Sequence, residues 1–282
     1  MTDYANPSAL VETTWLAEHL DDPSVRVVEV DMDPDTYSRG HIRGAVSWDW
    51  FRDLRARPRR DLIDQEGLTR LLRRAGLDPE SYVILYGDAS NWFAAYAYWL
   101  MQYRGFDGAK LLNGGRRKWE SEGRELTAKL PRWKPGSITV SGANRDNRRA
   151  MREYTLFQVG HTRFIDVRSP EEYRGELLAP LHLPQEQAQV PGHIPGAVNI
   201  PWEAATNDDG TFKPAGELRA IYEAYGVTPE SEVITYCRVG ERSAHTWFVL
   251  HELLGYPYVR NYDGSWAEYG SLIGAPVEIL AR

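Results

Sequence analysis

The sequence predicts an α/β fold made of two tandem domains, each a parallel sheet flanked by helices. Three observations lead to this prediction: the length of 282 residues, the alternation of strand-like and helix-like patterns, and an internal repeat. Domains commonly contain ~100–200 residues, so the chain is long enough for two, each with its own core. Strand and helix patterns that alternate are typical of βαβ units, whose strands are parallel.

The first half contains two predicted strands and two predicted helices in alternation. Val25–Val30 and Val83–Tyr86 are short apolar runs, and we expect both to be buried strands. Leu68–Ala75 and Trp92–Tyr103 carry apolar residues at helical spacing.

The second half repeats the first. Features that both halves share are expected to build the fold, whereas features present in one half are candidates for chemistry. The matched segments are Val28–Val30 with Ile165–Val167, Gly40–Val46 with Gly192–Val198, Val83–Tyr86 with Val233–Tyr236, Trp92–Leu100 with Arg242–Leu250, and Asn113–Gly115 with Tyr262–Gly264. His41 and His193 recur in both halves, so we expect them to hold turns rather than to act in catalysis.

The boundary between the halves is expected in a stretch rich in Pro, Gly, Asn and Arg. Leu130–Gly136 and Asn144–Arg149 lack a sustained apolar period, as linkers do. The predicted organisation is a first domain at 1–130, a linker at 131–150 and a second domain at 151–282.

The single cysteine, Cys237, directly follows the predicted strand Val233–Tyr236 and precedes a predicted helix. Loop N–H groups and the positive end of a helix dipole converge at such a junction. Arg238 and Arg242 add positive charge. These effects favour the thiolate, so we predict that Cys237 is a nucleophile with a lowered pKa rather than a buried small hydrophobe.

The first half lacks this arrangement. Gly87 stands at the position of the cysteine, Asp88 at that of Arg238, and Trp92 at that of Arg242, where its ring is expected to fill the site. The second domain is therefore predicted to carry the activity.

Composition limits the partners and the compartment. The formal net charge of −7 argues against a nucleic-acid footprint. No stretch approaches the ~18 consecutive apolar residues that span a bilayer. The first residues show neither a basic region nor an apolar core, so no secretory signal is expected. A lone cysteine cannot form an intrachain disulfide, which together with thiolate chemistry favours a cytoplasmic location.

The loop Cys-Arg-Val-Gly-Glu-Arg-Ser at 237–243 resembles the active-site loop of tandem-domain rhodaneses, the thiosulfate sulfurtransferases, and is most similar to their actinobacterial members. The resemblance extends through both Gly-His-Ile-x-Gly-Ala-Val segments to Tyr262–Trp266, and so covers nearly the whole chain. It implies that Cys237 takes a sulfane sulfur from thiosulfate, releases sulfite, and passes the sulfur from a persulfide to cyanide or another thiophilic acceptor. It also implies that Arg242 binds the anion. Some members have a lysine where this chain has Val239.

Other loop residues have chemical roles that the residue types suggest. A two-stage transfer of this kind needs neither metal nor organic cofactor. Gly240 permits the backbone angles of a tight cradle. Arg238 is expected either to contact the substrate or to pair with a carboxylate, and Ser243 either to bond the persulfide or to cap the helix. Glu241 is expected to be structural and to pair with a loop arginine, because a carboxylate facing an anionic substrate would repel it.

Arg174 follows the strand that ends near Val167 and is a further candidate for substrate contact, with a surface salt bridge as the alternative. The segment 175–191 is an insertion relative to the first half and is expected to wall the pocket with its prolines, Pro180, Pro184 and Pro191.

Two other functions stay open at this point, and a third is disfavoured. One is transfer from 3-mercaptopyruvate, for which the family's loops are more neutral. Another is a non-catalytic persulfide carrier, which needs the same loop. A phosphatase or arsenate reductase is disfavoured, because its loop needs an arginine six residues after the cysteine, where this chain has Ser243.

Overall fold

The computed structural model describes residues 3–58, 60–179 and 187–280. The chain separates into two compact units. The N-terminal unit comprises Ser8–Arg145 and Asn207–Phe212. The C-terminal unit comprises Met1–Pro7, Asp146–Thr206 and Lys213–Arg282.

A five-stranded parallel sheet forms the centre of the N-terminal unit, in the order β1-β7-β6-β2-β3. Its strands are β1 (Leu10–Val11), β2 (Val25–Asp31), β3 (Val46–Asp49), β6 (Tyr82–Tyr86) and β7 (Ala109–Leu112), while β4 (Arg55–Ala56) and β5 (Asp61–Leu62) form a separate antiparallel pair. The helices are α1 (Thr13–Glu18), α2 (Pro34–Arg39), α3 (Trp50–Asp53), α4 (Gln65–Arg74), α5 (Trp92–Tyr103) and α6 (Gly115–Ser121). All seven residues of β2 are buried, as expected for a strand covered on both faces.

A four-stranded parallel sheet forms the centre of the C-terminal unit, in the order β11-β10-β8-β9. Its strands are β8 (Arg163–Asp166), β9 (Val198–Asn199), β10 (Val233–Tyr236) and β11 (Val259–Asn261). The helices are α7 (Arg152–Gln158), α8 (Pro170–Arg174), α9 (Ala215–Glu223), α10 (Glu241–Phe248) and α11 (Ser265–Tyr269), and a π-helical turn, Val249–Leu253, continues α10.

These elements confirm the predicted fold class and the main sequence patterns. The predicted strand Val83–Tyr86 lies within β6, and the predicted helix Trp92–Tyr103 coincides with α5. Eleven of the twelve residues of α5 are buried, which explains its nearly continuous apolar sequence.

The sheet registers correct one detail of the internal repeat. Leu85 pairs with Leu111 in the N-terminal sheet, and Thr235 pairs with Asn261 in the C-terminal sheet. Because Leu85 and Thr235 are equivalent, Gly115 corresponds to Ser265. The sequence pairing of Asn113–Gly115 with Tyr262–Gly264 is therefore wrong by one residue.

The segment predicted as a linker begins as irregular chain held against the N-terminal unit. The N–H of Gly136 donates to the carbonyl of Arg73 at 2.8 Å, and the N–H of Val140 donates to the hydroxyl of Thr69 at 3.1 Å. The division between the compact units falls between Arg145 and Asp146.

Among the residues that the structure describes, every helix is too short or too polar to cross a bilayer.

Candidate active site

Cys237 lies directly after β10, at the carboxyl edge of the C-terminal sheet. Open parallel sheets bind ligands at this edge. The residue is completely buried. Its N–H donates to Ser265 Oγ at 3.1 Å, and its carbonyl accepts from the N–H of Trp266 at 3.0 Å. The start of α11 therefore holds the backbone of the cysteine in place.

The sulfur of Cys237 is surrounded by hydrogen-bonding groups. The N–H of Gly240 donates to it at 3.1 Å. The hydroxyls of Ser243 and Ser265 lie 3.7 and 4.0 Å away. The thiol itself reaches Glu241 Oε2 at 3.3 Å. Loop donors of this kind can stabilise a sulfur anion, as an oxyanion hole stabilises oxygen.

Gly240 is required by the shape of this loop. Its φ is 101°, a conformation that favours glycine. A Cβ at this position would lie 2.8 Å from Cα of Asp263. Any side chain would therefore displace the N–H that faces the sulfur.

Arg242 is bound to a carboxylate from α8. Its two terminal nitrogens donate to the two carboxylate oxygens of Glu172 at 2.7 and 3.0 Å, and both side chains are buried. Ser169 and Glu172 form a capping box at the start of α8. The bidentate pair connects α8 to the first turn of α10, so Arg242 fixes the loop, and part of its charge is neutralised before any substrate arrives.

Arg238 is buried within the same loop and is 3% exposed. Burial lowers the pKa of its guanidinium, whereas the nearby Glu241 carboxyl raises that pKa. The carbonyl of Arg238 accepts from the N–H of Ala267 at 2.9 Å. A cation is thus present beside the cysteine.

Ser243 is not the cap of α10, because the N-cap residue is Gly240. Its hydroxyl lies 2.6 Å from Asn261 Oδ1 and 3.2 Å from the carbonyl of Gly240. Asn261 also donates to the Gly240 carbonyl at 3.2 Å. The serine and the asparagine together brace the loop from the end of β11.

Arg174 lies at the end of α8 and forms the surface ion pairs that were the alternative to substrate contact. Its guanidinium is 3.0 Å from Glu176 and 3.5 Å from Glu171. Pro180 and Pro184 of the insertion lie outside the described residues. Near its end, the carbonyl of Val190 accepts from Trp266 Nε1 at 3.0 Å, so the insertion is anchored to α11.

The predicted lowering of the Cys237 pKa is wrong. Burial and the negative charge of Glu241 raise the pKa of the thiol, and the opposing influence of Arg242 and Ser243 is smaller. The sequence showed the two arginines but not the complete burial of the sulfur.

Four residues of the site were missed or assigned a lesser role from sequence: Glu172, Glu241, Asn261 and Ser265. Ser265 was hidden by the pairing error, because the correct register would have shown a serine in one half against Gly115 in the other. The capping-box spacing from Ser169 to Glu172 marks a helix start, but no local signal marks the contact between Glu172 and Arg242, which are far apart in sequence.

A buried cysteine lies at the end of a central parallel strand, with loop hydrogen-bond donors around its sulfur and two arginines in the same loop. These features define a class of protein whose chemistry takes place at a cysteine sulfur. A family model for the rhodanese-like domain matches residues 12–122 and 153–272. The chain therefore belongs to the rhodanese-like family.

Relatives agree over the full length. The sulfur carrier protein TtuD of Thermus thermophilus is 50% identical over 279 residues, covering 97% of this chain and 98% of that protein. A Mycolicibacterium smegmatis protein named "Putative thiosulfate sulfurtransferase" is 50% identical over 275 residues, covering 98% and 99%. The solved structure of Escherichia coli SseA, described as a 3-mercaptopyruvate sulfotransferase, is 25% identical with a TM-score of 0.76 over 92% of this chain and 98% of that one. Sulfur transfer is the general activity that family and site share.

Proposed function

We propose that the protein is a thiosulfate sulfurtransferase that works through a persulfide on Cys237. The observation that carries the proposal is the sulfur's surroundings: the Gly240 N–H at 3.1 Å, with Arg238 and Arg242 buried in the same loop. Thiosulfate is a dianion, so its site has to accept negative charge while presenting a nucleophile. This loop combines both properties.

In the first half-reaction the Cys237 thiolate attacks the outer sulfur of thiosulfate. The sulfur–sulfur bond of thiosulfate breaks, and its electron pair leaves with sulfite. The persulfide that remains carries negative charge on its outer sulfur, which the loop N–H groups and the nearby hydroxyls can stabilise. In the second half-reaction, cyanide or a thiol attacks the outer sulfur and releases Cys237.

The two loop arginines have different roles. Arg242 already binds Glu172 with both terminal nitrogens, so its function is to shape the loop. Arg238 is the loop cation that we assign to the oxygen atoms of thiosulfate, because charge-assisted hydrogen bonds to oxyanions are about twice as strong as neutral ones. A loop with this charge favours thiosulfate over the monoanion 3-mercaptopyruvate.

The proposal includes a small-molecule donor and a small-molecule acceptor, and no metal or organic cofactor. It also includes a cytoplasmic location, because a reactive unpaired thiol persists best in a reducing compartment. It assigns the chemistry to the C-terminal unit.

A second candidate is a persulfide carrier that delivers sulfur to another protein. The 50% identity to a protein named a sulfur carrier favours it. Carrier and enzyme share the first half-reaction and differ in turnover with small acceptors.

The test is mass spectrometry of the intact protein after incubation with thiosulfate. The proposal predicts a gain of one sulfur atom on the wild type, its removal by cyanide, and no gain on Cys237→Ser. Steady-state rates with cyanide as acceptor are then measured in parallel for thiosulfate and 3-mercaptopyruvate. These rates show whether the protein turns over as an enzyme and which of the two donors it prefers. Sulfur loading without turnover would favour the carrier, and no loading would refute the proposal.

A further inference from the structure

We propose that Glu241 accepts the proton of the Cys237 thiol and retains it while the cysteine is a persulfide. This inference rests on the proposed sulfur transfer and adds a catalytic residue to it. The sequence favoured a structural role for Glu241, because a fixed negative charge would repel an anionic substrate.

The contacts of Glu241 point to the sulfur. Its Oε2 lies 3.3 Å from Cys237 Sγ, within hydrogen-bond distance for a thiol donor. Its Oε1 lies 3.8 Å from Arg242 Nε, which is beyond hydrogen bonding, since Arg242 gives its terminal nitrogens to Glu172. The glutamate is thus poorly suited to be the salt-bridge partner of Arg242, and its carboxylate contacts the reacting atom.

The thiol needs an internal proton acceptor. Cys237 is completely buried and Glu241 is 2% exposed, so bulk water does not reach the sulfur in this conformation. Burial raises the pKa of the thiol, so the resting cysteine is protonated near neutral pH. A nucleophilic thiolate therefore forms only if the proton moves to a neighbour, and Glu241 is in position to take it.

The transfer balances over the whole cycle. The thiol proton moves to Glu241 Oε2, the thiolate electrons form a bond to the outer sulfur of thiosulfate, and the bonding pair of the old sulfur–sulfur bond leaves with sulfite. When cyanide attacks the outer sulfur, the persulfide bond breaks and its electron pair returns to Cys237. The cysteine then recovers the proton from Glu241, so that no proton is gained or lost.

This cycle removes the repulsion between Glu241 and the persulfide. While the persulfide exists, Glu241 is a neutral carboxylic acid and can donate a hydrogen bond to the anionic outer sulfur. A permanent carboxylate could only repel that atom.

Other charged groups also face the pair. Arg238 and Arg242 belong to the same loop and helix, and Glu172 comes from α8. Asp263 follows β11 next to Gly240 and is paired with Arg149 at 2.7 and 2.9 Å. Each of these carboxylates is bound to an arginine, which leaves Glu241 as the acceptor in contact with the sulfur.

The experiment measures the single-turnover rate of sulfur loading from thiosulfate between about pH 6 and pH 8. The thiol–carboxylate and thiolate–carboxylic acid forms hold the same number of protons, so their ratio does not change with pH. The wild-type rate is therefore expected to be nearly flat. In Glu241→Gln the thiolate arises only by proton loss to solvent, so the rate falls about 10²- to 10⁴-fold near neutral pH and rises steeply with pH.

The opposite result has a clear physical meaning. If the charge of Glu241 only disfavours the thiolate, its removal lowers the thiol pKa, and Glu241→Gln loads sulfur as fast as the wild type or faster. Such a result overturns the inference, as does a wild-type rate that rises about tenfold per pH unit. The second criterion holds even if the variant fails to fold.

The controls separate the two proposals. Glu153→Gln, which removes an exposed carboxylate on α7, is expected to keep the wild-type rate and its pH dependence. If the wild type does not load sulfur from thiosulfate at all, the proposed function fails. If the wild type loads and Glu241→Gln loads equally fast, only the role of Glu241 fails.

Discussion

The loops after β6 and β10 occupy equivalent places in the two units and satisfy the same backbone groups with different side chains. In the C-terminal unit, Ser265 Oγ accepts from the N–H of Cys237 at 3.1 Å and donates to the carbonyl of Tyr262 at 2.7 Å. In the N-terminal unit, Asn91 accepts from the N–H of Gly87 at 3.0 Å and donates to the carbonyl of Leu112 at 2.7 Å.

The bridging residue comes from a different element in each unit. Asn91 belongs to the loop itself, stands at the sequence position of Glu241, and binds the N–H of Gly87 and the carbonyl of Leu112. Ser265 comes from the next turn, so the loop of the C-terminal unit needs no side chain of its own for this bridge. Trp92, which was expected to fill the site, is half-buried at the start of α5.

The turn that supplies Ser265 is strained in the C-terminal unit. The φ values of Gly115 and Ser265 are 55° and 52°. Glycine adopts this conformation readily, whereas serine there costs about 1 kcal/mol or more. In the N-terminal unit a Cβ at Gly115 would lie 2.3 Å from Asn91 Oδ1, so Asn91 and a side chain at 115 exclude each other.

Each unit also buries an arginine–carboxylate pair at the carboxyl edge of its sheet, but the arginine comes from a different sequence position in each. Arg116, in α6, binds Glu29 and the carbonyl of Gly40. In the C-terminal unit Asp166 is equivalent to Glu29, and its partner is Arg168, which also donates to the carbonyl of Gly192 at 2.7 Å. Different sequences thus meet the same structural requirement.

Because the arginine stands at a different position in each unit, the charge next to the loop also differs. Asp31 is equivalent to Arg168, and burial together with Asp88 and Glu29 raises the pKa of its carboxyl to about 10. The N-terminal unit therefore places acids where the C-terminal unit has Arg168 and Arg238. The comparison teaches that the fold tolerates exchange of its polar supports, whereas the two units differ in the charge of the loop and in the turn that holds it.

The most severe test transfers the thiol to the loop of the N-terminal unit. Gly87→Cys in a Cys237→Ser background is expected to give no detectable sulfur transfer, because this loop has Asp88 and Trp92 where the other has Arg238 and Arg242. A Cβ at 87 would also lie 2.5 Å from the carbonyl of Val30, so we expect a loss of about 1–3 kcal/mol in stability. Thiosulfate:cyanide assays and thermal melts measure both effects; substantial activity would break the comparison.

The next test separates the two loop arginines. Arg238→Ala is expected to lower kcat/KM for thiosulfate by roughly 10- to 100-fold, and to affect 3-mercaptopyruvate less, because one charged hydrogen bond to the dianion is lost. Arg242→Ala leaves Glu172 buried without its partner. It should lower kcat/KM for both donors and should also lower the melting temperature. If both variants changed the preference for thiosulfate over 3-mercaptopyruvate equally, the assignment of different roles to Arg238 and Arg242 would be contradicted.

The third test concerns the strained serine. Ser265→Ala keeps the strained backbone and leaves the Cys237 N–H without its acceptor, which should cost about 1–3 kcal/mol in the free energy of unfolding. Ser265→Gly loses the same acceptor but relieves the strain, so it should be more stable than the alanine variant by about 1 kcal/mol. Denaturant unfolding measures the difference. Wild-type stability of Ser265→Ala would show that the hydroxyl does not fix the cysteine.

The smallest effect on sulfur transfer is expected at Asp31, where the test is one of stability. Its pKa in the folded chain, about 10, exceeds the ordinary value of 3.8, so folding takes up a proton between these values. The resulting contribution to stability is complete below about pH 4 and is lost progressively as the pH rises. Asp31→Asn removes this dependence and should raise stability by at least about 1 kcal/mol near pH 8. A gain that does not grow with pH would argue against a protonated Asp31.

The sequence by itself determined the parallel α/β fold, the internal repeat and the place of Cys237. These features depend on local patterns: apolar runs, helical spacing, and a loop with its glycine and arginines next to a strand. The absence of the thiol and arginines at Gly87–Trp92 was equally visible.

Only the tertiary structure decided what surrounds the sulfur. Glu172 reaches Arg242 from α8, and Ser265 and Asn261 reach the loop from the turn and strand that follow β10, so their roles depend on which elements pack together. The raised pKa of Cys237 depends on complete burial, and burial results from every element that covers the sulfur. Local sequence specifies which groups are present at the site, but distance and dielectric environment decide how they act, and both arise only when the chain has folded.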